Sequence, residues 1–95
     1  MAERAGGIGM GWIVYILKCA DNTLYTGITN NLEARLLKHE SGAGAKYTRS
    51  RGPYEILFTE LHETRSAATR REAEIKGLSR ERKLQIISEN SQGGL

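Results

Sequence analysis

Two hydrophobic periods follow one another along this chain. Trp12–Lys18 is a run of apolar, β-branched and aromatic residues, Asp21 and Asn22 supply turn chemistry, and Leu24–Thr29 resumes the same composition. That pattern predicts a β-hairpin. The period then lengthens: Leu32, Leu36 and Leu37 form a helical stripe behind Asn30 or Asn31, either of which suits an N-cap, and Gly42 is the stop. Arg35 and His39 are four apart and share one face of that helix.

From Ser41 to Pro53 the chain is polar, glycine-containing and basic, which predicts a surface segment with a short helical turn around Lys46 to Arg51. Tyr54 to Leu61 reads as a third strand, with Ile56, Phe58 and Glu60 alternating against Leu57, Thr59 and Leu61. Apolar groups on both faces predict a central strand. Thr64 or Ser66 caps the next helix, where Ala68, Arg71, Ile75 and Leu78 recur at helical spacing and Gly77 weakens the end. Glu72 lies one turn beyond Ala68. Ser79 caps a last helix with Leu84 and Ile87 turned inward, and Ser91–Gly94 is expected to be disordered. The element order is β-β-α-β-α-α, an α+β arrangement within the broader α/β class.

The length of 95 residues allows one hydrophobic core. The expected organisation is a flexible N-terminus over 1–11, one domain over 12–89 and a flexible C-terminus over 90–95. The single cysteine, Cys19, excludes an internal disulfide, and His39 and His62 are too far apart to read as a zinc-ligand cluster. The opening residues lack an apolar signal core, and no stretch approaches the roughly 20 apolar residues of a membrane span. A cytoplasmic setting without membrane partners is the expectation.

The net charge of +3 is weak by itself, but its distribution is not. Residues 43–83 carry Lys46, Arg49, Arg51, Arg65, Arg70, Arg71, Lys76, Arg80, Arg82 and Lys83 against six acids, while the remainder is slightly acidic. Such a bias suits either a phosphate-facing side or an ordinary solvated surface.

Tyr25-Thr26-Gly27, ten residues after Tyr15 and followed by Asn30, Arg35 and His39, resembles the signature of the GIY-YIG nucleases. Gly44-Ala45-Lys46-Tyr47-Thr48-Arg49 and Ala68-Thr69-Arg70-Arg71-Glu72 through Lys76 are similar to later segments of the short stand-alone bacterial members. The resemblance spans roughly Trp12 to Lys83. It implies a small three-stranded antiparallel sheet flanked by helices, and hydrolysis of a nucleic-acid phosphodiester by water with one divalent metal, Mg²⁺ or Mn²⁺.

On that basis Glu72 is the expected metal ligand, because a lone carboxylate with waters and substrate oxygens is a usual way to hold Mg²⁺. The competing structural reading is a capping box from Thr69 to Glu72, with Glu72 and Lys76 as a helix-face ion pair worth ~0.3 kcal/mol. Arg35 offers a planar fork of donors for phosphate oxygens. Tyr25 is the first candidate to orient or deprotonate the attacking water, with Tyr15 and His39 as acceptor or relay. A free phenol has a pKa near 10 and needs cationic neighbours for that task, whereas imidazole titrates near 6.5. As strand residues, Tyr15 and Tyr25 also suit a core. Gly27 lets backbone approach closely. Tyr47 is placed to stack on unpaired bases, Trp12 more in the core. Asn30, Lys46, Arg49, Arg51, Lys76 and Lys83 complete the expected nucleic-acid surface.

The first tripeptide reads Ile13-Val14-Tyr15, without its glycine, and Thr26 stands where isoleucine names the motif. Ile28 follows Gly27 where some members carry lysine, and His39 takes a position where others have tyrosine. The proton acceptor therefore stays open among Tyr25, Tyr15 and His39. The expected function is a metal-dependent endonuclease on DNA, single-stranded or branched forms favoured because so short a chain has little surface for reading duplex sequence. The alternative is a non-cleaving nucleic-acid-binding module on the same scaffold. A partner protein for tighter binding fits either reading.

Overall fold

Strand β1 (Trp12–Lys18) pairs antiparallel with β2 (Leu24–Thr29), Tyr15 lying opposite Gly27 and Leu17 opposite Tyr25. The structure is a computed structural model that describes residues 11–41 and 52–93. The turn joining the strands closes through Cys19 N–H donating to Thr23 O at 2.9 Å and Asn22 N–H donating to Cys19 O at 2.9 Å. Asn22 takes the left-handed conformation at φ 70°, which asparagine tolerates. Asp21 Oδ1 accepts from the Thr23 amide at 3.1 Å and its hydroxyl at 2.6 Å. These short polar side chains fix the hairpin register and so set which residues share a face.

Strand β3 (Glu55–His62) adds to the other side of β1, giving the antiparallel order β2-β1-β3. The expectation of a central β3 is corrected: β1 is central and β3 is an edge. Apolar residues on both faces of β3 suggested two covered faces, but Leu61 is 74% exposed. A register shift at Ile16/Leu17 lets Tyr15 face Thr59 and Leu17 face Ile56.

One face of the sheet carries the main core: Val14, Ile16 and Phe58 pack with Ala68 and Ile75 of α2 (Arg65–Lys76), and Ile86 and Ile87 of α3 (Arg80–Gly93) close over them. Thr64 caps α2, its side chain accepting from Ala67 N–H at 3.1 Å. Thr69 is therefore interior to α2, and the capping-box reading of Thr69 and Glu72 does not hold. Leu84 is 43% exposed, so Ile86 takes the inward place assigned to it. The backbone of α3 continues to Gly93, further than the composition of Ser91–Gly94 suggests. Ser79 does cap α3, accepting from Arg82 N–H at 3.2 Å.

Helix α2 is also stapled to β3 by charge. Glu60 Oε1 accepts from Arg71 Nε at 2.9 Å and pairs with His62 Nε2 at 2.8 Å, while Arg71 reaches Glu74 at 3.0 Å. Burial alone would raise the Glu60 pKa, but the hydrogen bonds from His62 and Arg71 outweigh it and hold it below the usual carboxylate range. Trp12, half-buried against the core, carries the Arg65 guanidinium 5.4 Å above its ring.

Helix α1 (Leu32–Glu40) accompanies the opposite face of the sheet. Its stripe differs from the leucine pattern: Leu37 is 62% exposed, and the residue fully buried is His39. The partner that draws a polar ring inward is a tyrosine hydroxyl on β1.

Candidate active site

Tyr15 sits at the centre of β1 and is 1% exposed, with Leu17 on the same strand face and Cys19 just past the strand equally buried. Its ring lies across Gly27. A Cβ built on Gly27 would stand 2.7 Å from the Tyr15 hydroxyl and 3.0 Å from Tyr25 Cε2, closer than real Cβ contacts come. Glycine at this position is thus what allows the two phenols to occupy one face of the hairpin.

Asn31 starts α1 by accepting from Ala34 N–H at 3.1 Å, and its own amide donates to Thr29 Oγ1 at 3.0 Å. That cap ties the helix to the end of β2 and aims Arg35 and His39 at Tyr15. Tyr15 Oη is 3.0 Å from His39 Nε2, and Arg35 Nε donates to Tyr15 Oη at 3.4 Å. A guanidinium only donates, so the phenol oxygen accepts from Arg35, while the tautomer of His39 decides which of Tyr15 Oη and His39 Nε2 donates to the other. Arg35, Tyr15 and His39 thus form one hydrogen-bonded line.

Burial dominates the electrostatics of the two rings. Burial pushes the Tyr15 pKa above the usual phenol value, against the lowering effect of the Arg35 hydrogen bond. Burial, helped by the Arg35 charge, pushes His39 below the usual imidazole value. Arg35 is held charged more firmly than a free guanidinium, first by its hydrogen bond to Tyr15, which outweighs the opposing effect of burial, with smaller contributions from Tyr25. Tyr15 is a neutral phenol and His39 a neutral imidazole at physiological pH.

Around this chain stand further rings. Tyr25 lies 6.3 Å from Tyr15 and 5.5 Å from His39 between ring centroids, and Tyr54, just before β3, lies 5.8 Å from His39. Tyr25 is only half-buried, unlike Tyr15.

Glu72 comes from α2, with its side chain 20% exposed and Oε2 3.3 Å from Lys76 Nζ. Its negative charge is felt at the Tyr15 hydroxyl, where it opposes ionisation, which places it in electrostatic reach of the chain on the other helix. Among the described residues no group of three or more His, Cys, Asp and Glu side chains is arranged to hold a metal. A single carboxylate fits an ion that keeps most of its waters, as Mg²⁺ does, and does not fit a structural zinc or an all-protein calcium cage.

Residues 11–85 match the sequence model of the GIY-YIG catalytic domain. The chain belongs to the GIY-YIG family. A UPF0213 protein of Natronomonas pharaonis is 51% identical over 78 residues, 82% of this chain and 92% of its own. A UPF0213 protein of Clostridium perfringens is 55% identical over 78 residues, covering 82% and 84%. Two solution structures are also similar. The UPF0213 protein BH0048 of Bacillus halodurans has 47% identity and a TM-score of 0.55, with 83% of this chain and 84% of that one covered. The protein EF2693 of E. faecalis has 41% identity and a TM-score of 0.64, with 88% of each covered. Membership places the chain in a nuclease superfamily, and the observed three-stranded sheet with β-β-α-β-α-α order is the fold that the GIY-YIG resemblance implies.

Of the GIY-YIG residues singled out in the sequence, the fold brings Tyr15, Tyr25, Gly27, Arg35 and His39 into one cluster; Glu72 on α2 lies within electrostatic reach of Tyr15, and Lys76 pairs with Glu72. Asn30 is exposed next to the cap residue, and Lys83 is half-buried on α3. Lys46, Tyr47, Arg49 and Arg51 lie outside the described residues. Tyr54 was not foreseen as part of the cluster. Its position after Gly52-Pro53 and before a strand suggested only a strand start, and its approach to His39 exists only once α1 and β3 are packed.

Proposed function

We propose that this chain is a divalent-metal-dependent endonuclease that hydrolyses DNA phosphodiester bonds, single-stranded or branched DNA being its favoured substrate. The observation that carries the reading is the hydrogen-bonded line Arg35–Tyr15–His39 with the Glu72 carboxylate in electrostatic reach of it. Phosphoryl chemistry needs a fixed cationic donor and an anionic metal anchor, and Arg35 on α1 and Glu72 on α2 are the side chains that suit those two parts.

Glu72 would hold the ion, Mg²⁺ or Mn²⁺, which would supply Lewis-acid stabilisation of the phosphate charge. Arg35 keeps its Nε on Tyr15 and turns the remaining guanidinium N–H groups to the phosphate. Tyr15, buried and neutral, is a positioning residue: its hydroxyl sets the orientation of both Arg35 and His39. Tyr25, the more exposed phenol, orients the attacking water. His39, with Nε2 engaged by Tyr15, serves as relay rather than as direct base.

The test is cleavage of labelled single-stranded, duplex and branched DNA of one sequence, with Mg²⁺, with Mn²⁺ and with chelator. Cutting that requires the metal and is fastest on the branched or single-stranded form is the expected result. Equal cutting in chelator would refute metal dependence, and a preference for plain duplex would refute the substrate assignment.

A further inference from the structure

Lys76 is the second charged residue at Glu72, one turn further along α2, with its Nζ 3.3 Å from Glu72 Oε2. The two partners differ in freedom. Glu72 is 20% exposed and sits where its charge reaches Tyr15, whereas Lys76 is 53% exposed on a flexible four-carbon stem. An ion arriving at the Glu72 carboxylate meets an ammonium already resting on it, and a dication and an ammonium on one carboxylate repel each other strongly. The helix-face pair itself is weak, so the ammonium is the group that yields.

We infer that Lys76 is a tethered counter-ion of Glu72 that is released by metal binding and then taken up by a phosphate of the nucleic acid, so that metal binding switches on one phosphate contact. The inference rests on the reading of Glu72 as the metal ligand. Glu72 carries one charge and cannot neutralise both cations; substrate phosphate, negatively charged and brought to the same ion, is the acceptor that replaces it. Metal and nucleic acid therefore bind with positive coupling through one lysine, and by linkage each raises the affinity of the other. In the absence of metal the same pair shields Glu72, which would otherwise repel the incoming phosphate backbone.

The test uses the full chain in two titrations. In the first, Mn²⁺ is added without nucleic acid and the free ion is followed by electron paramagnetic resonance for wild type, Lys76→Met and Glu72→Gln. Lys76→Met is expected to bind Mn²⁺ about threefold or more tightly than wild type, because a competing charge has been removed. In the second, a fluorescent single-stranded oligonucleotide is titrated over a range of salt with Ca²⁺ or with chelator. For wild type the dependence of affinity on salt steepens by about 0.7 when Ca²⁺ is present, the increment of one added phosphate contact on a single strand. For Lys76→Met it does not steepen. Equal Mn²⁺ affinity of wild type and Lys76→Met, or a wild-type salt slope unmoved by Ca²⁺, would overturn the inference. Unchanged Mn²⁺ binding in Glu72→Gln is a separate outcome that removes the Glu72 ligand reading itself, and the inference with it.

Discussion

The Tyr15 hydroxyl lies directly over Gly27 across the β1–β2 hairpin, 2.7 Å from where a Cβ on that residue would stand. The Tyr15 side that faces Gly27 is thus fixed by the absence of a side chain, while its hydroxyl is fixed by Arg35 and His39.

Gly27→Ala should therefore displace the phenol rather than be absorbed. The obstacle is a buried ring, not the far end of a flexible side chain, so overpacking is expected to destabilise the fold by about 1–3 kcal/mol. Denaturant unfolding gives the stability change. Cleavage measured well below the unfolding midpoint should fall further than oligonucleotide binding does, since the displaced group orients Arg35.

Tyr15→Phe keeps the ring and removes the hydroxyl. The hydrogen bonds of Tyr15 Oη with His39 Nε2 and Arg35 Nε are then lost, a cost of about 1–3 kcal/mol in stability. Arg35 is expected to keep its charge but lose its orientation, so single-turnover cleavage drops by about tenfold or more while oligonucleotide affinity changes little. An unchanged cleavage rate would show that the hydroxyl has no positioning role.

The pH dependence follows from His39, whose neighbours are Tyr15, Tyr25 and Tyr54 and the Arg35 charge. Its folded pKa is depressed, so between that value and the unfolded value near 6.5 the unfolded chain binds more protons. Stability is therefore unaffected by this residue above about pH 6.5 and falls as the pH drops through 6.5 toward the folded pKa. Cleavage by the folded chain should fall at lower pH, around the depressed folded pKa, where a protonated His39 places a second positive charge beside Arg35 and disturbs the line to Tyr15. His39→Gln retains an acceptor without titrating there, and its denaturant midpoint and cleavage rate should lose this acid slope.

Thr26 points to the opposite face from Tyr15, is 3% exposed, and its hydroxyl finds no hydrogen-bond partner among the described residues. Thr26→Val removes a buried polar atom at nearly constant shape and should raise stability by about 1 kcal/mol, read from the denaturant midpoint. Because Thr26 faces away from the phenols, cleavage should not change.

The hairpin was legible in the sequence because β-branched and aromatic runs flanking Asp21-Asn22 admit one register, and that register carries Tyr15, Tyr25 and Gly27 to a common face. Helix α2 was legible for the same kind of reason, Ala68 and Ile75 marking its buried stripe. The edge position of β3 was not, since Leu57 and Leu61 look like cover for a second face and only the strand order shows Leu61 in solvent. Helix α1 misled in a similar way: hydropathy favours Leu37 for the interior, but a hydrogen bond to Tyr15 brings His39 there instead. Hydrogen-bond partners distant in sequence leave no periodic trace. The Arg35–Tyr15–His39 line and the burial of its two rings needed the packed structure.

The central claim is that Arg35 and Glu72 act on a phosphate held beside the tyrosine pair, one as fixed cation and the other through a metal. Single-turnover cleavage of a labelled branched DNA in Mg²⁺ tests it most directly, with oligonucleotide binding and thermal unfolding measured on the same samples. Arg35→Ala and Glu72→Gln are expected to fold and bind yet cut at least about a hundredfold more slowly, the scale of losing one major electrostatic contribution to the transition state. Cleavage by folded Glu72→Gln or Arg35→Ala at the wild-type rate would contradict it.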